Sequence, residues 1–244
     1  MADRKGGKGG RRNISVSRDE TVRLRPGKGR KVSSRRWLER QLNDPYVAEA
    51  RRQGYRSRAA FKLLELDDKY HLLKKGARVV DLGAAPGGWT MVALEKVGNT
   101  GKVVGIDITP VDPISGAVIL EGDMHDADTV EQLVRVLGGP ADVVLSDMAA
   151  SASGHTATDH LRIIGLAEAA LDFAEDVLAP GGAFVAKVLQ GGTEHGLLSR
   201  LKRAFRRVAH AKPPASRKES AEMYVVATGY RGTPEFPAYD KNSE

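Results

Sequence analysis

The sequence contains no cysteine. That excludes disulfides, thiolate nucleophiles and thiolate metal sites, and it suits a reducing cytoplasm. Aromatic residues make up only 5% of the chain, so little surface is left for stacking flat ligands. No apolar run is long enough to cross a bilayer, and the opening "MADRKGGKGGRR" has no apolar segment of a secretory signal. The six histidines are scattered. The nearest to a pair, His155 and His160, reads as two exposed loop residues, so no metal is expected. Two nucleotide signatures are missing as well: there is no G-x-G-x-x-G turn and no phosphate loop ending in Gly-Lys-Ser/Thr.

Positive charge is concentrated at one end. Residues 1–36 hold thirteen Lys/Arg against Asp3, Asp19 and Glu20, a net of +10, so the rest of the chain carries −3 out of the total +7. Residues 1–32 contain six glycines and few apolar side chains, too few to offset the entropy of ordering. They read as a disordered basic arm, the electrostatic footprint of a nucleic-acid partner. The expected organisation is this arm, a folded domain over 33–232 that includes N-terminal helices in 33–74, and a tail over 233–244.

Within the domain, Ser33 or Ser34 is expected to cap a helix holding Trp37, Leu38 and Leu42, and Asn43-Asp44-Pro45 to break it. A second helix runs to Gly54. A third, "SRAAFKLLELDDKY", is expected to be capped by Ser57, with Phe61, Leu63 and Leu64 facing inward. Arg51, Arg52, Arg56 and Arg58 lie between these helices and are candidate RNA contacts. From Ala77 onward, short apolar strands alternate with helices, including a long one over 159–182 that ends at Gly181-Gly182. The pattern predicts an α/β, Rossmann-like, mostly parallel seven-stranded sheet with helices on both faces and an antiparallel last strand.

In such a sheet, ligands sit beyond the carboxyl ends of the strands. The first strand is followed by "DLGAAPGGW", residues 81–89. Pro86 removes a backbone donor, and Asp81 sets negative charge beside the turn, which disfavours a pyrophosphate. A cationic ligand with an adenosine and no phosphate suits this turn better, and S-adenosylmethionine is such a ligand. Asp107, about twenty residues past the glycines, ends the second strand where a ribose diol is held. Asp123 follows the third strand, within reach of an adenine amino group. Asp81, Gly83, Gly87, Gly88, Asp107 and Asp123 are therefore the candidate cofactor residues, with Trp89 beside them as a stacking or core residue.

Asp147 ends the fourth strand, Lys187 interrupts the apolar strand "AFVAKVL", and Glu222 opens the last strand. If that strand is antiparallel, all three meet at one rim, and Lys62 on the third helix can join them. A lysine inside an apolar strand needs a partner or a task. The loop after the fourth strand, "DMAAS", has no aromatic platform for a flat base, so a ribose hydroxyl is the expected acceptor.

The stretches "SSRRWLERQLNDPYV", "GYRSRAAFKLLEL", "VVDLGAAPGGW", "DPISGAVILEGD", "VVLSDMA", "DVLAPGGAFVAKVLQGG" and "SRKESAEMYVVATG" together resemble the FtsJ-type 2'-O-ribose methyltransferases of ribosomal RNA, specifically the methyltransferase E family, which acts on a uridine ribose of the large subunit. They span nearly all of residues 33–230. The resemblance implies a Lys62–Asp147–Lys187–Glu222 tetrad and cofactor contacts at Gly87, Trp89, Asp107, Asp123 and Asp147; in an in-line attack of a ribose 2'-hydroxyl on the sulfonium methyl, Lys187 is the expected proton acceptor. It implies 23S rRNA within the large ribosomal subunit as partner, and a cytoplasmic monomer is expected. Where many members read Pro-Asn after the catalytic aspartate, Ala150-Ser151 stand here. A ribosome-assembly factor that binds RNA without catalysis, or a ribose methyltransferase of tRNA or an mRNA cap, shares most of these features.

Overall fold

The structure, a computed structural model, describes residues 38–39, 41–150, 153–191 and 195–232. The basic arm 1–32, Ser33, Ser34 and Trp37 of the expected first helix, Ser151 and the tail 233–244 lie outside the described residues. The chain divides into two compact units, Met1–Glu49 and Ala50–Glu244. In the first, Leu38 and Leu42 are helical, and Asn43 closes the turn by donating its side-chain amide to the Glu39 carbonyl at 2.7 Å. Asp44 Oδ1 then accepts the Tyr46 N–H at 3.1 Å, a cap for the helix that Pro45 opens (α1, Pro45–Gln53).

The second unit holds α2 (Ala59–Tyr70), β1 (Arg78–Leu82), α3 (Gly88–Val97), β2 (Lys102–Asp107), β3 (Ala117–Glu121), α4 (Ala127–Leu137), β4 (Ala141–Ser146), α5 (Thr156–Val177), β5 (Leu178–Leu189), α6 (His195–Ala204), β6 (Phe205–Ala211) and β7 (Glu222–Tyr230). The seven strands form one sheet in the order β3-β2-β1-β4-β5-β7-β6. β3 to β5 are parallel; β7 runs antiparallel between β5 and β6. The central strands are apolar almost throughout because helices cover both faces. On one face α4, α5 and α6 bury Leu133, Leu137, Leu171, Leu197 and Leu201 against Val104, Val144 and Phe184. On the other, α2 and α3 pack together, with Phe61, Leu63 and Leu64 buried as expected.

Strand order reverses between β1 and β4, so the crevice beyond their carboxyl ends is where this class of sheet takes its ligand. The inserted β7 matters equally. Because it runs backwards, its first residue lies beside the last residues of β5, with Glu222 opposite Leu189 and Tyr224 opposite Lys187.

Two local expectations are corrected. The long helix begins at Thr156 and stops at Val177, not at Gly181-Gly182. Leu178 pairs with Ala141 and Ala183 with Val143, so residues 179–182 bulge out of β5, where Pro180 cannot continue a helix. Ser57 does not cap α2: Arg58 occupies that position without a side-chain cap bond, and Ser57 Oγ is buried with no hydrogen-bond partner. It sits where a Cβ on Gly88 would strike it, so close packing on α3 takes the hydroxyl away from the helix end.

Candidate active site

The first turn is built tightly. The N–H groups of Gly83 and Ala84 both donate to the Ile106 carbonyl, at 2.9 and 3.1 Å, and Gly87 N–H donates to the Ala84 carbonyl at 2.6 Å. Gly83 has φ +79°, and a Cβ there would lie 2.7 Å from Met148 Cγ. Gly87 has φ +109°, and a Cβ there would lie 2.5 Å from Ile114 Cδ1. Both positions exclude a side chain on conformation and on space. Gly88 opens α3, and the Ala85–Pro86 peptide is cis.

Asp107 braces this turn. Its Oδ2 accepts the Ala85 N–H at 2.9 Å and its Oδ1 the Thr109 N–H at 2.8 Å. The carboxylate is half-buried, and each oxygen keeps a lone pair for a ligand. Asp123 is exposed after β3; its Oδ1 accepts the His125 N–H at 3.0 Å and lies 2.8 Å from His125 Nδ1. These contacts, the backbone one foremost, hold its carboxyl below the usual value.

Asp81 is not at the surface of the turn, as the sequence suggested, but fully buried behind it. Thr90 Oγ1 donates to its Oδ2 at 2.6 Å, while Oδ1 has no partner. Burial, reinforced by the charges of Asp147 and Asp107 and opposed by the Thr90 hydrogen bond, pushes its pKa from the ordinary 3.8 up to about 7. Trp89 is likewise a core residue: it is 3% exposed, donates its indole N–H to the Ala59 carbonyl at 2.8 Å, and packs on Tyr224 with centroids 5.5 Å apart. Its side chain therefore has no stacking face to offer a ligand.

The four tetrad residues meet. Lys62 Nζ lies 2.8 Å from Glu222 Oε1, 2.9 Å from Oε2 and 3.9 Å from Asp147 Oδ2. Lys187 Nζ lies 2.8 Å from Asp147 Oδ1 and donates to the Asp147 carbonyl at 2.7 Å. Each side chain is between 10% and 17% exposed, so the cluster is screened yet open to a substrate. Burial pushes the Glu222 carboxyl up, but the Lys62 charge and hydrogen bond, with help from Lys187 and Ser216, outweigh it and leave the group below its ordinary value.

A fifth residue joins the two pairs. Lys62 donates to the Tyr224 hydroxyl at 3.1 Å, and that hydroxyl donates to Asp147 Oδ1 at 2.7 Å. Burial first, then the charges of Asp147 and Glu222, lift the Tyr224 phenol well above its ordinary value, so it remains a donor. The sequence carried a signal for it: Tyr224 is two residues after Glu222 on one strand and therefore on the same face. Ser216 Oγ also donates to Glu222 Oε1, at 3.0 Å.

The four candidate RNA arginines divide. Arg51 and Arg52 are exposed in the last turn of α1. The Arg56 guanidinium donates to the carbonyls of Asp112 at 2.6 Å and Pro113 at 2.8 Å, and Arg58 donates to the Ala215 carbonyl. Those two fasten loops of this chain beside the site. Among the described residues, no group of three or more His, Asp or Glu could hold a metal ion, and no helix is long and apolar enough to cross a membrane.

A sheet of this order, with acids at successive strand ends and a lysine–carboxylate cluster on the same rim, defines a Rossmann-like methyltransferase. The chain belongs to the FtsJ-like methyltransferase family, whose profile matches residues 55–230. It is 64% identical over 224 residues to the ribosomal RNA large subunit methyltransferase E of Paramagnetospirillum magneticum, covering 90% of this chain and 92% of that one. The protein of the same name from Acidiphilium cryptum is 62% identical over 218 residues, covering 89% and 96%. A crystal structure of a ribosomal RNA methyltransferase from Plasmodium falciparum superposes with a TM-score of 0.67 at 33% identity, covering 73% of this chain and all of that one.

The methyl donor that the family implies is S-adenosylmethionine. The residues present fit it. Gly83 and Gly87 keep the turn free of side chains of its own, while Met148 and Ile114 close on it from the neighbouring loops. The charges of Asp107 and Asp147 act on Asp81 and help to raise its pKa, a grouping of carboxyls that suits a cation, and Asp81 Oδ1, buried behind the turn, is unpartnered.

Proposed function

We propose that this chain methylates the 2'-hydroxyl of a uridine ribose in 23S rRNA of the large ribosomal subunit, in the cytoplasm and as a monomer. The observation that carries the reading is the continuous hydrogen-bonded group Lys62–Glu222, Tyr224, Asp147–Lys187 beside the glycine turn. Asp107 would hold the ribose diol of S-adenosylmethionine and Asp123 the adenine amino group, with Gly83, Gly87 and Gly88 along its length. When bound, the donor supplies a methyl already activated by its sulfonium, so the chain's own task is alignment and proton removal.

Lys187 is the proton acceptor. Asp147 fixes its Nζ from two sides, by carboxylate and by carbonyl, so that the nitrogen has one direction left for a substrate hydroxyl. Lys62, held by both oxygens of Glu222, steadies the alkoxide as it forms. With both lysines charged, the tetrad is neutral. Lys187 accepts the hydroxyl proton as the neutral amine, so the cluster carries one net negative charge beside the cationic donor before the transfer and none after it. Positioned proton transfer of this kind contributes roughly 10²–10⁴-fold to rate.

The domain organisation belongs to the same proposal: a basic arm over 1–32 that binds RNA phosphates, a catalytic domain over 33–232 and a tail over 233–244. Arg51 and Arg52 add to the RNA contacts from the surface, while Arg56 and Arg58 shape the loops near the target. The test is mapping of ribose methylation on rRNA from cells with this chain, without it, and with Lys187→Ala. One uridine in the large-subunit RNA should lose its methyl in both altered strains, while purified Lys187→Ala binds S-adenosylmethionine as before. An unchanged methylation map removes the substrate assignment; retained turnover by Lys187→Ala removes the proton acceptor.

A further inference from the structure

The far end of the sheet, opposite the catalytic rim, carries a basic belt. Three depressions adjoin there. One of about 590 Å³ is bordered by Lys74 and Lys75, from the loop after α2, and by Pro180 and Gly181. A second, about 430 Å³, shares Pro180 and Gly181 and adds Arg206 and Arg231. A third, about 420 Å³, shares Arg231 and adds Arg203. β7 spans the distance from Glu222 at the rim to Tyr230 at this end. Nine residues of strand cover roughly 25–30 Å, so the belt is separate from the catalytic cluster.

Its cations lack counter-charges. Lys74, Lys75, Arg203 and Arg206 are exposed, and among the described residues no carboxylate pairs with any of them. Of the two acids that border the depressions, Glu175 is paired with an arginine, and Asp142, bonded to a backbone N–H, is one anion against the four exposed cations. Asp142 Oδ2 accepts the Arg78 backbone N–H at 2.8 Å, and Glu175 Oε2 takes Arg200 at 2.6 Å. The sequence behind part of this belt is one-sided: residues 195–218 contain eight Lys/Arg and no Asp/Glu. Protecting an edge strand from aggregation needs only one or two such charges. More than that on one face repel each other unless an external anion neutralises them.

The layout selects the anion. The cations do not converge on one point, as they would for a single phosphate, but follow one another along three adjoining hollows. Among the described residues, none of the exposed large apolar side chains (Leu42, Ile108, Val118 and Leu161) borders the depressions, so the belt offers a membrane surface no apolar group to insert. We propose that this belt binds the phosphodiester backbone of an RNA segment other than the one presenting the target ribose. The proposal rests on the rRNA reading above and deepens it: the enzyme holds its substrate at two ends of the sheet.

The experiment measures binding of the full chain to transcribed 23S rRNA, without methyl donor, across a salt series. Replacing Lys74, Lys75 and Arg206 by Gln should reduce the slope of log affinity against log salt by about 2–3, at roughly 0.7–0.9 per phosphate contact. Arg135→Gln, on a helix face outside the belt, should leave it unaltered. With large subunits as substrate, the triple variant should raise KM at least tenfold and leave kcat unchanged, and that unchanged kcat also reports an intact fold. If the triple variant does not fold, Lys74→Gln with Lys75→Gln alone should give a slope loss of about 1–2. An unaltered slope overturns the proposal, as does a loss per charge no larger than that of Arg135→Gln. Belt-dependent binding without any methyl transfer would leave the belt standing and remove the proposed reaction instead.

Discussion

Asp81 makes the sharpest prediction, because it is a fully buried acid with an unpartnered oxygen directly behind the ligand turn. Raising its pKa from 3.8 to about 7 penalises the ionised form by on the order of 4 kcal/mol. The folded state thus holds this proton more tightly than the unfolded chain does. Its contribution is most favourable below about pH 4, declines as pH rises, and levels off above about pH 7. Asp81→Asn keeps an oxygen for the Thr90 hydroxyl and removes the titration. Urea unfolding of donor-free protein should therefore show the variant gaining on the wild type by about 2–3 kcal/mol between pH 5 and pH 8. Other titrating groups cancel in that difference. A gap that does not change with pH would refute the assignment of the shift to burial at this position. Binding of a cationic donor, which favours the ionised form, should also be stronger above pH 7 than below it and lose that dependence in Asp81→Asn.

Tyr224→Phe removes the hydroxyl between Lys62 and Asp147 while keeping the packing on Trp89. A hydrogen bond to a charged group contributes about 1.5–3 kcal/mol, so kcat should fall roughly 10–100-fold with donor affinity unchanged; an unaltered kcat would show the link to be idle. Gly83→Ala must strain a positive φ and displace Met148, which should lower stability by about 1–3 kcal/mol, visible as a lower Tm. Deleting residues 1–32 should weaken RNA binding and flatten its salt dependence with kcat retained, and an unaltered salt slope would count against the arm.

The alternation of strands and helices, the acids at three successive strand ends and the backward last strand could all be read along the chain. Each rests on periodicity or on residues close in sequence, and such signals survive without tertiary contacts. The tetrad was legible through its motifs, whose spacing reflects the lengths of the elements between them. Other features depended on which surfaces meet. Asp81 reads as a loop acid until α3 and Thr90 close over it. Trp89 reads equally as core or as a ligand platform until Ala59 and Tyr224 occupy it. Ser57 has the chemistry of a cap, yet packing against Gly88 decides its place. Arg56 and Arg58 read as free cations until carbonyls from residues 56 to 157 positions away reach them. Burial is set by what lies on top of a residue, and that neighbour is far off along the chain. The sequence by itself therefore determined the elements and the chemical groups, while only the tertiary structure decided which groups face solvent, which face each other, and where positive charge goes unanswered.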